Sequence, residues 1–388
     1  MQKSLVETNF FEKDVLLLPR ACVCAVSSPY KINWRGIRGE MKMKKKFIIL
    51  LTAAVMSLGV LAGCGNSATQ TQADGNAAES TNPSDSQDDS QNENPDTNTA
   101  EADASSAGSG TITVTDARGE VEIPADPQRI VDLSGNSDIL SVYGYSVIGT
   151  ANSDAYDYTV FPSYLEDILK GAKILGFSMQ DTMDIEGILE LEPDLIIISS
   201  VQEKMYEQLK EIAPTVMIEL AQINWRDDIN AFAEIMGKED IAAQWLSDYD
   251  KKASDKGTEI KAAYGEETTY LAFLASGGQL YVFDAAGIGS VMYEDMGLAK
   301  PANMPAQDNI SLPVISYEGL AELDPDYIFV VATEADMESL RQSSIYNSMR
   351  AVEDGNVVEL PSSPYFNMGY SCIGREVFLE EFTGLMEQ

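Results

Sequence analysis

The sequence predicts an α/β protein of two similar lobes, each a largely parallel sheet flanked by helices, joined by one long interdomain helix. Three observations predict it. An eleven-residue text occurs twice, as Glu186 to Ile196 (EGILELEPDLI) and as Glu318 to Ile328 (EGLAELDPDYI). Apolar runs with strand character alternate with helical patterns on both sides of residues 225–265, which argues for parallel sheets covered on both faces. Residues 225–265 themselves carry no strand signal and are rich in Ala, Glu, Asp and Lys, the composition of a helical strut.

Each copy of the repeat reads as a short helix, a Pro-Asp turn and a buried strand. Ile185, Ile188 and Leu189 fall on one helical face, as do Tyr317 and Leu320. Pro193 and Pro325 stop the helices, because proline disfavours helical geometry in the residue before it. The runs from Leu195 to Ile198 and from Tyr327 to Val331 are continuous and apolar, as strands covered on both faces are. Asp184 and Ser316 stand two residues before Glu186 and Glu318 and suit N-caps. The two glutamates then lie in first helical turns, where negative charge suits the macrodipole. Glu190 and Glu322 follow four residues on. Repetition in both halves suggests two lobes, each presenting one glutamate at a corresponding position.

Residues 41–63 read as an export signal: Lys44, Lys45 and Lys46, an apolar run from Phe47, then Leu61-Ala62-Gly63 before Cys64. The apolar stretch is too short and interrupted for a spanning helix. Residues 1–40 do not fit such a signal, and Met41 and Met43 are natural starts, so 1–40 are expected to be an over-extended start. Residues 65–110 contain no Val, Ile, Leu, Met, aromatic, Lys or Arg, but nine acidic residues. Residues 64–110 are therefore expected to be a disordered acidic tether, spanning roughly 35–40 Å as a flexible coil. Cys22 and Cys24 fall in the doubtful start. Cys64 and Cys372 remain, and no internal disulfide is expected.

The chain has 62 acidic and 26 basic residues, a net charge of −36, and no histidine. Such charge repels nucleic acid and gives no grounds for binding anionic lipid headgroups. Lack of histidine removes Ser-His-Asp and Cys-His nucleophile arrangements and the commonest transition-metal ligand.

In the N-terminal lobe, 111–224, the stretch from Thr111 to Ile123 reads as a hairpin turning at Asp116-Ala117-Arg118-Gly119. Arg129 to Leu133 and Ser146 to Gly149 read as strands, Pro162 to Lys170 as a helix. The first repeat follows, then a helix from Val201 to Ile212 and a strand from Thr215 to Glu219. In the linker, 225–265, a helix from Asp227 to Met236 stops at Gly237, and a second, from Glu239 to Tyr264, forms the strut. Ile241, Trp245, Leu246 and Tyr249 fall near helical spacing on it. In the C-terminal lobe, 266–388, strands from Thr268 to Leu274 and Gln279 to Phe283 flank Gly277-Gly278. A helix near Ile288 to Met296, the second repeat and helices between Met337 and Met349 follow. A strand from Asn356 to Leu360, a loop from Pro361 to Tyr370 and a helix from Ile373 to Met386 complete the chain.

These residues carry a resemblance. Leu61-Ala62-Gly63-Cys64 resembles the lipobox of bacterial lipoproteins, which implies lipidation of Cys64 and an exported protein anchored on the outer face of the cytoplasmic membrane. Residues 111–388 resemble the solute-binding lipoproteins of iron-siderophore, haem and cobalamin ABC importers. The matching text is Asp116-Ala117-Arg118-Gly119, Pro124-Ala125-Asp126-Pro127 with Arg129-Ile130-Val131, Leu175-Gly176, the first repeat, Tyr206-Glu207-Gln208-Leu209, Ile212-Ala213-Pro214-Thr215 and Leu323-Asp324-Pro325-Asp326. The resemblance implies a monomer that holds its ligand in the cleft between the lobes, with little hinge closure. It implies that Glu186 and Glu318 dock on a permease dimer served by an ATPase. The ligand expected is a ferric siderophore, with haem or cobalamin as alternatives, no cofactor and no direct metal ligand.

Cleft walls are expected on loops after the strands: Asn136, Tyr156, Tyr158, Phe177 and Lys204 from the first lobe, and Tyr281, Asn303, Tyr365, Phe366, Tyr370 and Arg375 from the second. Aromatics suit the apolar flanks of a chelate, amides and bases its oxygens. Hydroxamate-type relatives often carry a base on the first hairpin of the second lobe; Ala275-Ser276-Gly277-Gly278 departs from that, which argues against a hydroxamate and against a strongly anionic ligand. For haem, Met179, Tyr281 or Tyr365 could serve as iron ligands. Two other classes are open. A lipid-anchored sensor or adhesion domain could use the same fold and tether. A glycosidase pair would need carboxyls roughly 5–10 Å apart, which twin glutamates on separate lobes do not give.

Overall fold

Each lobe is built on a five-stranded sheet, and in each the repeat supplies the strand beside the central one. The computed structural model describes residues 110–221 and 223–388, all within one compact unit. The expected start, export signal, Cys64 and tether up to residue 109 lie outside the described residues.

The hairpin forms as its alternation predicts: β1 (Thr111–Asp116) pairs antiparallel with β2 (Gly119–Pro124), Asp116 opposite Gly119. Asp116 accepts from the Arg118 amide at 2.7 Å, which closes the turn, and from the Met217 amide at 2.7 Å, which pins the hairpin to the lobe. The first lobe continues through β3 (Ile130–Asp132), α1 (Ser137–Val142), β4 (Val147–Asn152), β5 (Lys173–Phe177), α2 (Ile185–Glu190), β6 (Leu195–Ser199), α3 (Tyr206–Leu209) and β7 (Thr215–Ile218). The strand order is β5-β4-β3-β6-β7, all parallel. β6 is buried throughout. Leu195 and Ile197 enter one apolar cluster, Ile196 and Ile198 another, so the strand must be apolar on both faces.

The linker is two helices, α4 (Trp225–Met236) and α5 (Glu239–Tyr264), and Gly237 ends α4 in the left-handed region at φ +61°. At 1.5 Å per residue α5 is about 39 Å long. Its buried stripe is Ala242, Tyr249, Ala253, Gly257 and Ile260; Ile241, expected on that stripe, is exposed. A Cβ on Gly257 would stand 1.8 Å from the Met296 carbonyl oxygen. Glycine is what lets the strut touch the backbone of the second lobe.

That lobe contains β8 (Tyr270–Ser276), β9 (Gln279–Val282), α6 (Gly287–Ser290), β10 (Val314–Ile315), α7 (Tyr317–Leu323), β11 (Tyr327–Ala332), α8 (Glu334–Arg341), α9 (Ser344–Asn347), α10 (Arg350–Glu353), β12 (Val357–Pro361), α11 (Ser362–Met368) and α12 (Cys372–Met386). Its order is β10-β9-β8-β11-β12. β8, β11 and β12 are parallel, while β9 runs antiparallel to both neighbours because Gly277-Gly278 makes a tight hairpin.

The two repeats match beyond their text. Asp184 accepts from the Gly187 amide and Ser316 from the Gly319 amide, so both predicted N-caps form. Glu192 and Asp324, at the same repeat position, both take positive φ (44° and 37°) before their prolines. Asp194 then accepts from the Gln128 and Arg129 amides at the start of β3, and Asp326 from the Thr269 amide and hydroxyl before β8. Arg129 donates to the carbonyls of Leu191 and Glu192, Arg350 to that of Asp324. Each arginine thereby satisfies carbonyls left open where its helix ends. Leu189 departs from expectation: Ile188 is buried, but Leu189 is 60% exposed.

Four other expectations are corrected. Pro162 to Lys170 forms irregular turns rather than a helix. The Val201 to Ile212 segment is a 3₁₀ turn, Ser200–Met205, followed by the single turn α3. The Ile288 to Met296 helix is α6 followed by a wide π-helical turn, Val291–Asp295. The expected loop from Pro361 is helical over α11, kinked at Ser363, because the residue before Pro364 avoids helical geometry while proline itself suits a first turn.

Candidate functional site

The site begins with loops leaving the C-terminal ends of β3, β4, β5 and β6, the end at which open α/β sheets bind ligands. Asp132 holds the first of them. Its buried carboxylate accepts from the Ser134 amide and hydroxyl (3.0 and 2.6 Å), the Asn136 amide (3.1 Å) and the Ser137 hydroxyl (2.6 Å). Burial pushes its pKa up, and the Ser134 and Ser137 hydroxyls oppose that shift. Gly135 lies against the loop after β5: a Cβ there would be 2.6 Å from Ser178 Cβ. Gln202, fully buried, donates to the carbonyls of Ser178 (2.6 Å) and Gln180 (3.1 Å) and accepts from the Ser199 amide. The Asn152 carbonyl accepts from the Ser178 amide at 2.9 Å, and its side-chain amide group reaches the Val160 carbonyl. Four loops are thus fastened into one rim.

On this rim Tyr158 stacks on Phe177, centroids 5.5 Å apart. Phe177 is buried, while Tyr158, Val160 and Met179 are exposed. Asn136 is half-buried at the head of α1. Lys204 is exposed and paired with Asp181 at 2.8 Å.

The second lobe meets the rim through α11 and the turn after it. The Asn367 side chain accepts from the Ala155 amide at 3.0 Å, and Ser363 donates to Asp154. Phe366 stands edge-on to Tyr156 at 5.4 Å, with Phe283 at 6.2 Å and Tyr370 at 6.1 Å. Tyr156, Phe366 and Tyr370, predicted from opposite lobes, therefore share one aromatic cluster.

Arg375, Tyr365 and Tyr281 each hydrogen-bond partners outside this cluster. Arg375 is 2% exposed, paired with Asp295 at 2.7 Å, bonded to Ser290 at 2.7 Å and lying over the Trp225 ring at 4.6 Å. It is a structural cation between the terminal helix and the linker. Tyr365 donates to Glu381 at 2.9 Å and borders a separate cavity of about 390 Å³ with Glu380 and Leu385. Tyr281 is buried and donates to Gln279 at 2.6 Å. Asn303 is exposed with φ +64°. Sequence reading missed Gln202, Asp154 and Asn367. Gln202 carried a signal, since Ser199 and Gln202 are spaced as a capping box and form one.

A second surface belongs to the repeats. Glu186 and Glu318 are exposed in the first turns of α2 and α7. Among the described residues neither takes part in an ion pair, whereas Glu190 is paired with Lys173 at 3.2 Å.

Comparison with known proteins decides the family. A family model described as Periplasmic binding protein matches residues 145–364. The chain belongs to the periplasmic binding protein family. This periplasmic binding protein is 31% identical over 273 residues to the iron(3+)-hydroxamate-binding protein FhuD of Bacillus subtilis, covering 68% of this chain and 83% of that one. It is 30% identical over 253 residues to the probable siderophore-binding lipoprotein YfiY of the same organism, covering 61% and 76%. Among solved structures it superposes on a FhuD fold-family component of a Fep/Fec-like ferrichrome ABC transporter from B. subtilis, with TM-score 0.59, 27% identity and coverage of 70% and 99%. It also superposes on the petrobactin-binding protein YclQ of B. subtilis, with TM-score 0.58, 22% identity and coverage of 72% and 99%.

Proposed function

We propose that this chain is the lipid-anchored substrate-binding subunit of an ABC importer, and that it captures a ferric siderophore between its lobes. Membership of the periplasmic binding protein family, with siderophore-binding relatives matched over most of their length, carries the reading. The aromatic cluster shared by the two lobes supports it, since Tyr156, Phe366 and Tyr370 offer ring faces to the apolar flanks of a chelate. Iron would enter inside its chelate, as cargo. Cys64 would carry the lipid and hold the protein at the outer face of the cytoplasmic membrane. Glu186 and Glu318, exposed and without ion-pair partners among the described residues, would engage arginines of the permease dimer as directional, charge-assisted contacts.

Trp225 and Trp245, 6.1 Å apart in the linker, provide a fluorescence reporter. Titration with ferric hydroxamates, ferric catecholates, haem and cobalamin tests the reading. Binding of haem or cobalamin alone, with no response to any ferric siderophore, would sink it. The docking role is tested by measuring uptake in cells and affinity in vitro for Glu186→Ala, Glu318→Ala and the double variant. One exposed ion pair is worth about 0–1 kcal/mol, so each single variant should reduce uptake and the double should reduce it more, with affinity unchanged within about twofold. Normal uptake by the double variant refutes docking through these residues.

A further inference from the structure

The charges around the cleft, taken with its apolar rim, limit what ferric complex it accepts. The segments after β3, β4, β5, β6 and β12 contain three basic residues: Lys204, paired with Asp181, Lys210, paired with Glu207, and Lys170, which stands just before β5 at the end of the sheet away from the rim. Arg118 reaches the β6 turn from the hairpin, but it is spent on Glu203 at 3.2 Å and Glu207 at 3.7 Å. The second lobe adds no open cation: Arg375 is buried on Asp295, Lys300 is paired with Asp284, and the β8–β9 turn is Gly277-Gly278. Carboxylates outnumber these bases, with Asp154 and Asp157 after β4 and Asp181 and Asp184 after β5. The surrounding chain carries a net charge of −36. An anionic ligand would meet a repulsive field at the rim, where the basic side chains Lys204 and Arg118 are both paired with carboxylates.

The same rim is apolar where it is open. Seven large apolar side chains are exposed among the described residues, and three of them, Tyr158 (36%), Val160 (57%) and Met179 (47%), stand on the adjacent loops after β4 and β5. Exposed apolar groups gathered beside a cleft mark a binding surface. They suit alkyl or aromatic linkers of a chelate rather than its charged oxygens.

We infer that this protein selects ferric complexes that are neutral or cationic overall, the charge class given by three hydroxamate groups on one ferric ion, and discriminates against tri-anionic complexes such as ferric tris-catecholates. The inference rests on the siderophore reading and narrows it. It also removes the force of the missing base on the β8–β9 hairpin: a neutral complex leaves no excess anion for that base to meet.

The test uses the full chain in detergent and follows linker tryptophan fluorescence. A neutral ferric trihydroxamate and a tri-anionic ferric tris-catecholate are titrated at low and high salt. The neutral complex should bind at least tenfold tighter at low salt, and the gap should narrow at high salt as screening shortens the reach of the carboxylates. Asp181→Asn removes one rim carboxylate and releases the Lys204 ammonium from it. That variant should raise affinity for the tri-anion severalfold and change that for the neutral complex less than twofold. Equal or tighter binding of the tri-anion by the unaltered protein overturns the inference and leaves the siderophore reading standing. Asp181→Asn without any gain for the tri-anion overturns it as well. Failure of both complexes to bind, while haem or cobalamin binds, overturns the siderophore reading itself.

Discussion

The buried carboxylate of Asp295 makes a graded prediction about the linker. It accepts from Arg375 at 2.7 Å, Arg226 at 3.0 Å and the Tyr249 hydroxyl at 2.6 Å. Asp295→Ala leaves Arg375 almost fully buried with Ser290 and the Trp225 ring as its remaining partners. An uncompensated buried charge of this kind costs about 3–5 kcal/mol. Arg375→Met leaves Asp295 with Arg226 and Tyr249, so the loss is that of one charged hydrogen bond, about 1.5–3 kcal/mol. Arg226 is partly exposed and also paired with Asp250, so Arg226→Met should cost about 1 kcal/mol. With about 2.1 cal/mol/K of unfolding entropy per residue over about 280 folded residues, 4 kcal/mol lowers Tm by about 7 °C. The expected falls are therefore about 7, 4 and 2 °C in thermal melts followed by circular dichroism. Ligand affinity of Arg375→Met should stay within about twofold, since the side chain faces the linker. The reasoning fails if Asp295→Ala melts no lower than Arg226→Met, or if Arg375→Met loses tenfold in affinity with an unchanged Tm.

Asp228 is predicted to limit stability at neutral pH. Burial pushes its pKa up to about 6, against an opposing hydrogen bond from the Ala221 amide. A carboxyl that binds its proton more tightly when folded makes stability fall as pH rises from about 4 to about 6. The full cost of about 3 kcal/mol is present above that window and absent below it. Asp228→Asn should therefore raise urea-derived stability at pH 7.5 and flatten its slope between pH 4 and 6; an unchanged slope refutes the assignment. Gly257→Ala should gain about 1 kcal/mol from helix propensity alone. The 1.8 Å approach to the Met296 carbonyl reverses the sign, so a lower Tm is expected, and a higher one would disprove the contact. Cys372 is buried, and burial first, then Asp138, pushes its thiol well above the ordinary range. Peptide mapping after maleimide treatment should find it unlabelled in the folded protein and labelled in urea; native labelling would refute its placement.

What the sequence made legible was local. The two repeats announced their own caps, turns and buried strands, because Asp184, Ser316, Pro193 and Pro325 act on residues within four positions of themselves. The strut was equally readable, since Gly237 and a run without strand residues bound it. What the sequence hid depends on partners far along the chain. Arg375 reads from the sequence as a base of the cleft wall, yet its acid lies 80 residues away in a wide turn that helical periodicity does not mark. Tyr365 sits one residue before Phe366, yet the turn of α11 sends its hydroxyl to Glu381 while Phe366 meets the opposite lobe. Leu189 was assigned inward by spacing, but a helix of six residues buries too narrow a face to take it. Gly257 carried an unread signal: glycine in the middle of a long helix costs about 1 kcal/mol, and close backbone approach is what that cost secures.

The lobes are fastened to each other where α1 meets the start of α12. Asp138 of α1 is buried and accepts from the Ser371 hydroxyl at 2.6 Å and the Cys372 amide at 2.8 Å at the start of α12. Ser363 donates to Asp154 across the same junction, and the Tyr143 hydroxyl ties the first lobe to linker helix α4 through the Ile229 carbonyl. Separating the lobes there would exchange the donors of Asp138 for water, a net loss of about 1.5–3 kcal/mol for each hydrogen bond to a charged acceptor. The aromatic cluster of Tyr156, Phe366 and Tyr370 is anchored to the same junction, whereas Tyr158, Val160 and Met179 stand on the open rim. Adjustment to a ligand is therefore cheapest in the rim loops and dearest at the junction. A stiff junction keeps Glu186 and Glu318, each on its own lobe, at a nearly fixed separation. The proposed docking partner would then gain the second contact at high effective concentration, the condition for two individually weak ion pairs to act as one strong contact.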